Sequence, residues 1–111
     1  MEPISVVIVL TTLPADLDPA VVARQLVGER LAACVSAYAP MTSFYRWEGA
    51  VQEGSERQLV IKTNFERLPA LAKRLEELHP YKVPEFMVVF SSATTSEYQG
   101  WVNASVTQDE A

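Results

Sequence analysis

The chain has 111 residues, enough for one compact domain and too few for two. Apolar residues make up 49% of it and charged residues 21%, which is typical of a globular protein and excludes a largely disordered one. The net charge is −5 and the lysines and arginines form no block, so the sequence does not predict the basic surface that nucleic-acid binding requires.

The first predicted element is a strand over residues 5–11, where β-branched residues follow one another without polar alternation. Such a run indicates a strand that is buried on both faces, and residues 13–16 are expected to end it. The run is too short to cross a bilayer, and Glu2 places an acid where a signal peptide needs positive charge. We therefore expect a cytoplasmic protein that does not contact membranes. The only cysteine, Cys34, can form no intrachain disulfide, which fits a reducing compartment.

A helix is expected to follow, starting at Asp18 and Pro19. An aspartate side chain can accept hydrogen bonds from the free N–H groups of a helix start, and proline suits the first helical position. Val22 and Leu26 are four residues apart and would form the buried face of this helix.

A long β-hairpin is predicted next, from two extended stretches over residues 33–47 and 51–63. Pro40 must mark a bend, an edge or a bulge in the first stretch, because proline donates no backbone hydrogen bond. Glu48-Gly49 suits the turn, and Glu53-Gly54 suits a bulge in the returning strand. Alternation along that strand predicts one face with Leu59, Ile61 and Thr63, and another with Gln58, Val60 and Lys62.

Two helices and a short strand complete the chain. Residues 68–78 carry leucines at helical spacing, and His79-Pro80 ends this helix because the residue before a proline avoids the helical region. Residues 86–90 form an apolar strand. Ser96 is expected to cap a last helix, with Gln99 completing a capping box. The inner face of that helix would hold Tyr98, Trp101, Val102, Ser105 and Val106.

This order of elements predicts an α+β fold with one domain: a ferredoxin-like split βαβ arrangement with a long β-hairpin and a C-terminal helix. Right-handed crossovers place the two main helices on one face of the sheet. The strands over 5–11 and 86–90 are apolar on both faces, so one isolated copy would expose an apolar face. We expect further copies of the chain to cover it. The alternative is that the C-terminal helix folds beneath the sheet.

Six blocks of the sequence resemble the CutA divalent-cation-tolerance family, and they occur in the order that the family has. They are residues 29–35 (ERLAACV), 43–49 (SFYRWEG), 61–63 (IKT), 79–81 (HPY) and 83–85 (VPE), and Tyr98 followed by Trp101. The resemblance implies a single CutA-like domain over residues 1–111, with its core at about 4–106. It also implies a homotrimer with an architecture similar to that of the PII signalling proteins, and a role in tolerance to divalent metals, copper especially.

Cys34 and His79 are the candidate metal ligands, because thiolate and imidazole both suit copper. The resemblance makes copper or another divalent cation the expected metal. Cys34 could instead be a small buried apolar side chain, and His79 could bond the last carbonyls of the preceding helix. One cysteine and one histidine cannot complete a site, so other ligands would come from several chains or include carboxylates such as Glu85. Thr11 stands where some family members carry a cysteine.

A candidate ligand-binding cleft combines Lys62, Tyr81 and Glu85 with the aromatic residues Tyr45 and Trp47. A lysine and a glutamate beside apolar elements need partners. They could line an inter-subunit cleft that holds a small anion or a metal complex, or they could form an ion pair that fixes the trimer. The aromatic rings could stack on a ligand or pack at an interface.

The sequence predicts no catalytic residues and therefore no enzyme. It has no serine or cysteine paired with histidine and a third partner, no glycine-rich phosphate loop and no zinc-ligand spacing. The predicted function is that of a cytoplasmic homotrimer, linked to tolerance of divalent metal ions such as copper, that binds a metal or small ligand between subunits. The alternative is a PII-like regulatory or scaffold protein that senses a small molecule and has no metal function.

Overall fold

The computed structural model of the protein describes residues 3–107. Met1, Glu2 and residues 108–111, which the predicted domain includes, lie outside that range. The strands are β1 (Val6–Pro14), β2 (Cys34–Ala37), β3 (Met41–Trp47), β4 (Ala50–Asn64) and β5 (Met87–Phe90), and the α-helices are α1 (Pro19–Gly28), α2 (Leu68–Leu78) and α3 (Ser96–Val106). Within the described range no helix combines the length and the apolar character needed to cross a bilayer.

The five strands form one sheet in the order β2-β4-β1-β5, and β3 continues beyond β2 along the same edge of β4. β1 lies in the centre and pairs antiparallel with both β4 and β5. This is the order that a split βαβ arrangement requires, so the predicted α+β, ferredoxin-like fold with a long hairpin and a C-terminal helix is confirmed.

One face of the sheet packs against α1 and α2. Asp18 caps α1 as predicted, with its Oδ1 accepting from Ala20 N at 3.0 Å, and α2 ends at Leu78 as predicted. β1 runs further than predicted, to Pro14, because Leu13 still pairs with β4 and still packs into the core. The buried residues of this core are Val9, Leu13, Val22, Leu26, Leu31, Ala32, Leu59, Ile61, Leu71 and Leu75.

The opposite face of the sheet, which we call the open face, is apolar and only partly covered. Residues that are paired across neighbouring strands have their side chains on the same face of the sheet. The pairing therefore assigns five apolar residues to the open face: Ile8, Leu10, Val60, Met87 and Val89. Met87 and Val89 are 55% and 43% exposed. The C-terminal helix covers one end of this face, where its buried valines cluster with Val6 and Ala33. The C-terminal helix therefore covers the open face at that end, as the alternative prediction had it, and leaves Met87 and Val89 exposed.

The start of α3 differs from the prediction in its cap. Thr95, and not Ser96, is the N-cap residue, with its Oγ1 accepting from Tyr98 N at 3.2 Å. Gln99 does not complete a capping box, because its buried amide accepts from the backbone N–H of residue 5 and donates to the carbonyl of residue 3. Gln99 thus ties the N-terminal segment to α3.

The inner face of α3 holds Val102 and Val106 as predicted, but it differs from the prediction at the aromatic residues. Tyr98 and Trp101 are 38% and 49% exposed, although both were expected to face inward. They pack on each other instead, with ring centroids 5.7 Å apart. The buried face of the helix is formed by Gln99, Val102 and Val106, because the polar contacts of Gln99 fix which side of the helix faces the sheet.

One extra residue separates β2 from β3. The last pair of β2 is Ala37 with Leu59, and the first pair of β3 is Met41 with Glu56. The chain advances four residues from Ala37 to Met41 while β4 advances only three between their partners. The extra residue lies within residues 38–40, where Pro40 marks the predicted irregularity. Because side chains alternate with a period of two, even-numbered residues of β2 but odd-numbered residues of β3 lie on the open face.

The tip of the hairpin turns at Glu48 and Gly49, as predicted, with φ values of 51° and 79°. The predicted bulge at Glu53-Gly54 is wrong, because β4 pairs with β3 in continuous register through both residues. Gly54 lies beside the ring of Tyr45 on the open face.

Thr11 and Thr63 are both fully buried, but their hydroxyl groups differ. Thr63 Oγ1 donates to the carbonyl of Leu31 at 2.9 Å, whereas Thr11 Oγ1 has no partner among the described residues. We expect Thr11→Val to raise the free energy of unfolding by about 1 kcal/mol, because it removes a buried, unsatisfied polar group. Thr63→Val should lower it by about 1 kcal/mol or more. Urea denaturation at one fixed protein concentration measures both, and equal losses in the two variants would contradict this assignment.

Candidate functional site

The hairpin and the segment after α2 enclose a cleft of about 580 Å³, open to solvent. Its walls come from β3, from β4 and from residues 80–85. The register of the hairpin shapes this cleft, because Tyr45 opposite Gln52 and Trp47 opposite Ala50 lie on the face of β4 that carries Glu56. An acidic group and two aromatic rings thus share one concave surface.

The structure brings four of the five residues predicted for the cleft together: Tyr45, Trp47, Tyr81 and Glu85 all line it. Lys62 does not line the cleft. It lies further along β4, in the middle of the open face, where it pairs with Ile8 on one side and Cys34 on the other. The predicted combination of Lys62 with Glu85 is therefore not found within one chain.

Glu56 is the central polar group of the cleft, and sequence reasoning missed it. Tyr81 Oη donates to Glu56 Oε2 at 2.8 Å. Burial raises the pKa of Glu56, but hydrogen bonds from the side chains of Ser43, Tyr81 and Thr12, and the charge of His79 when that ring is protonated at low pH, outweigh burial and hold the pKa below 4.5. Glu56 is therefore ionised at neutral pH. Burial and the Glu56 carboxylate together raise the pKa of Tyr81, which stays a donor.

Glu85 is the second carboxylate of the cleft. Its Oε1 accepts from Gln58 Nε2 at 3.1 Å, and the same amide donates to the carbonyl of Thr11 at 2.8 Å. Gln58 and Glu56 are two residues apart on one face of β4, a separation of about 7 Å along the strand. Both carboxylates therefore face the same cleft from neighbouring positions.

His79 holds the segment that forms one wall of the cleft. Its Nε2 lies 2.7 Å from the carbonyl of Thr12, and its Nδ1 accepts from Tyr81 N at 3.1 Å. A carbonyl only accepts and a backbone N–H only donates, so the ring is neutral with its proton on Nε2. Burial lowers the pKa of His79, although the Thr12 carbonyl and the Glu56 charge oppose the shift. Both ring nitrogens are engaged in this state, which leaves no lone pair for a metal.

Cys34 lies apart from His79. Its half-buried thiol is on the open face, 3.8 Å from Ser36 Oγ. The partner of Cys34 on β4 is four residues from the partner of Thr12, and β4 lies between β2 and β1. Cys34 is therefore about 13 Å along the strands and about 10 Å across the sheet from the carbonyl that His79 binds. Between residues 3 and 107, no three His, Cys, Asp or Glu side chains gather in a way that could hold a metal ion.

Sequence reasoning missed Glu56 and Gln58, although the alternation of side chains along β4 indicates which face they occupy. Glu56 and Gln58 occupy alternate positions of β4, on the face that also carries Val60 and Lys62. Alternation alone could have placed Glu56 on that face. It could not have chosen between Glu56 and Lys62, because that choice depends on where residues 80–85 meet the strand.

Comparisons with known proteins agree with one another. A sequence profile described as CutA1 divalent ion tolerance protein matches residues 7–105. The "Divalent-cation tolerance protein CutA" of Thermus thermophilus is 41% identical over 95 residues, which cover 86% of this chain and 92% of that protein.

Solved structures are similar as well. The crystal structure of CutA from Xylella fastidiosa has a TM-score of 0.87 and 41% identity, covering 93% of this chain and 99% of that one. A structure described as the periplasmic divalent cation tolerance protein CutA from Archaeoglobus fulgidus has a TM-score of 0.87 over 92% of this chain and 99% of that one. At 24% identity, this second likeness concerns the fold alone.

The depressed pKa of His79 predicts how stability depends on pH. The pKa of His79 is about 6.5 in the unfolded chain and lower in the folded protein. At pH values between these two pKa values, the unfolded chain binds more protons than the folded protein does. The stabilisation is therefore fully present above about pH 6.5 and is lost as the pH falls through that window. We expect urea denaturation of His79→Gln to show a flatter profile from pH 7 to 5. His79 is the only histidine, so one NMR titration gives its folded pKa, and a value above 6.5 would refute the prediction.

Proposed function

The chain belongs to the CutA1 divalent ion tolerance family, and we propose that it acts as a homotrimer that binds a divalent metal ion or a small ligand in its clefts and so supports metal-ion tolerance. The observation that carries this proposal is the cleft itself, which is open, about 580 Å³ in volume, and lined by Glu56, Glu85 and aromatic rings. Its size and its few convergent polar groups are those of a small-ligand site.

The open face supports the homotrimer. Met87 and Val89 are exposed there, beside half-buried apolar residues of β1 and β4. Exposed apolar surface of this kind is typical of an interface, and closed homo-oligomers are the usual way of covering it. Three copies is the arrangement that the family resemblance implies.

Copper is the proposed metal, with another divalent cation as the alternative. Cys34 supports copper because its thiol lies on the face that the trimer would bury, where several copies could each supply one ligand. His79 can join such a site only after releasing the N–H of Tyr81. Carboxylates such as Glu85 suit harder divalent cations.

A second candidate is a PII-like protein that senses a small molecule and has no metal function. Two observations favour it: the aromatic lining of the cleft, and the lack of a three-ligand metal cluster among residues 3–107. In both cases we propose a binding role in the cytoplasm and no catalysis. The single cysteine, which can form no intrachain disulfide, supports the location.

The proposed trimer is tested by placing a charge on the open face. We expect Val89→Asp to dissociate the trimer, because assembly would then bury an unpaired carboxylate. Val21→Asp is the matched control, since Val21 is 54% exposed on α1 and lies outside the open face. Native mass spectrometry of the parent and both variants gives the oligomeric state. A monomeric parent, or a trimer in both variants, would refute the open face as the interface.

The metal proposal is tested by adding copper to the purified protein. Native mass spectrometry should show copper gained in a fixed ratio per trimer. Cys34→Ala should weaken copper binding by about tenfold or more, as loss of a ligand does. Thr42→Ala, at an exposed position of β3 on the other face of the sheet, should leave binding unchanged. Copper affinity that is unaffected by both Cys34→Ala and His79→Ala would show the metal site to be wrong, and a thermal-shift screen of small molecules would then test the second candidate.

A further inference from the structure

The charge of the cleft indicates what kind of ligand it accepts. Glu56 and Glu85 contribute two negative charges and the exposed Lys82 one positive charge, so the formal total is −2 + 1 = −1. The whole chain carries −5. Lys62, which would have supplied a cation for an anionic ligand, lies elsewhere. Such a surface concentrates cations and repels anions.

The aromatic groups of the cleft also favour a positively charged ligand. Tyr45 and Trp47 line it and are 46% and 39% exposed in one chain, so their own subunit leaves part of each ring uncovered. Tyr81 adds a third ring, whose hydroxyl already donates to Glu56. The faces of aromatic rings carry partial negative charge and attract ammonium groups within about 6 Å.

The two carboxylates can still accept a charged donor. An ionised carboxylate offers about four acceptor directions, and Glu56 accepts from Ser43, Tyr81 and Thr12. Gln58 is bonded to one oxygen of Glu85. Acceptor capacity therefore remains on both groups, and their hydrogen bonds fix where the negative charge lies.

We propose that the cleft binds a small organic ammonium cation, with its charged head beside Glu85 and Glu56 and its apolar part against Tyr45 and Trp47. This inference names the ligand class of the cleft described under the proposed function and rests on it. A bare metal ion fits the lining less well, because aromatic rings supply no metal ligands.

The test compares choline with 3,3-dimethylbutan-1-ol, which has the same shape but carbon in place of the charged nitrogen. Isothermal titration of the full chain gives the affinity for each, and a thermal shift gives an independent readout. We expect choline to bind about tenfold more tightly than the neutral analogue, as cation–π and carboxylate contacts imply. Citrate, a small anion, should not bind.

Matched variants locate the binding. Glu85→Gln keeps an acceptor for Gln58 and should weaken choline binding about tenfold. Its control is Glu53→Gln, the same charge change at an exposed position on the other face of β4. Trp47→Leu should weaken binding to a similar degree. Its control is Phe44→Leu, on the face of β3 that points away from the cleft.

Each outcome decides the question. Equal affinity for choline and its neutral analogue, or equal losses in Glu85→Gln and Glu53→Gln, would overturn the inference. If copper or citrate binds in a manner that depends on Glu85 while choline does not bind, the cleft is functional and its ligand class is wrong. If none of these probes binds, the proposed function of the cleft fails together with the inference.

Discussion

β1 and β4 pair without interruption from Val6 opposite Asn64 to Pro14 opposite Glu56. Paired residues share a face, so each position of one strand constrains its partner. Odd-numbered residues of both strands fill the core beneath α1 and α2, and even-numbered ones form the open face. The far end of the same pairing reaches beyond the core and places Glu56 in the cleft. One register thus determines the core, the open face and the position of the acidic group.

The cleft is held together by a closed circuit of hydrogen bonds. The carbonyl of Thr12 accepts from His79, whose other nitrogen accepts from the backbone of Tyr81. The Tyr81 hydroxyl donates to Glu56, which also accepts from the Thr12 side chain. A neutral imidazole and an ionised carboxylate therefore coexist in one half-buried site, because each is stabilised in that state by its own partners. The circuit joins the end of β1, the segment after α2, and β4.

The sequence was sufficient wherever a signal is local. Asp18 before Pro19 located the start of α1, and the leucine spacing located α2. Alternation assigned Leu59, Ile61 and Thr63 to one face of β4, and that face is the buried one. The order of these elements then gave the sheet topology. These features depend on backbone capping and on the period of side chains, which neighbouring residues determine.

Features that depend on distant contacts were not predictable. Thr95 and Ser96 are equally suited to cap α3, and the choice follows from the bonds of Gln99 to the N-terminal segment. Lys62 and Glu56 lie on the same face of β4, but only the path of residues 80–85 determines that the cleft forms at Glu56. The open face, by contrast, was predictable, because the strands over 5–11 and 86–90 are apolar on both faces and right-handed crossovers place both main helices on one face.

The connection between β2 and β3 reconciles two constraints on one side of the sheet. β2 is held by its pairing with β4, and β3 by the turn at Glu48 and Gly49, which sets Trp47 opposite Ala50. If the same chain continued from β2 in an unbroken register, Phe44 and Arg46 would lie on the face that carries Glu56, and an arginine would oppose the negative charge of the cleft. Deleting one residue from 38–40 would have no such effect, because Met41 would still lie opposite Glu56 and both rings would keep their face. The loop can therefore shorten by one residue without changing which side chains line the cleft.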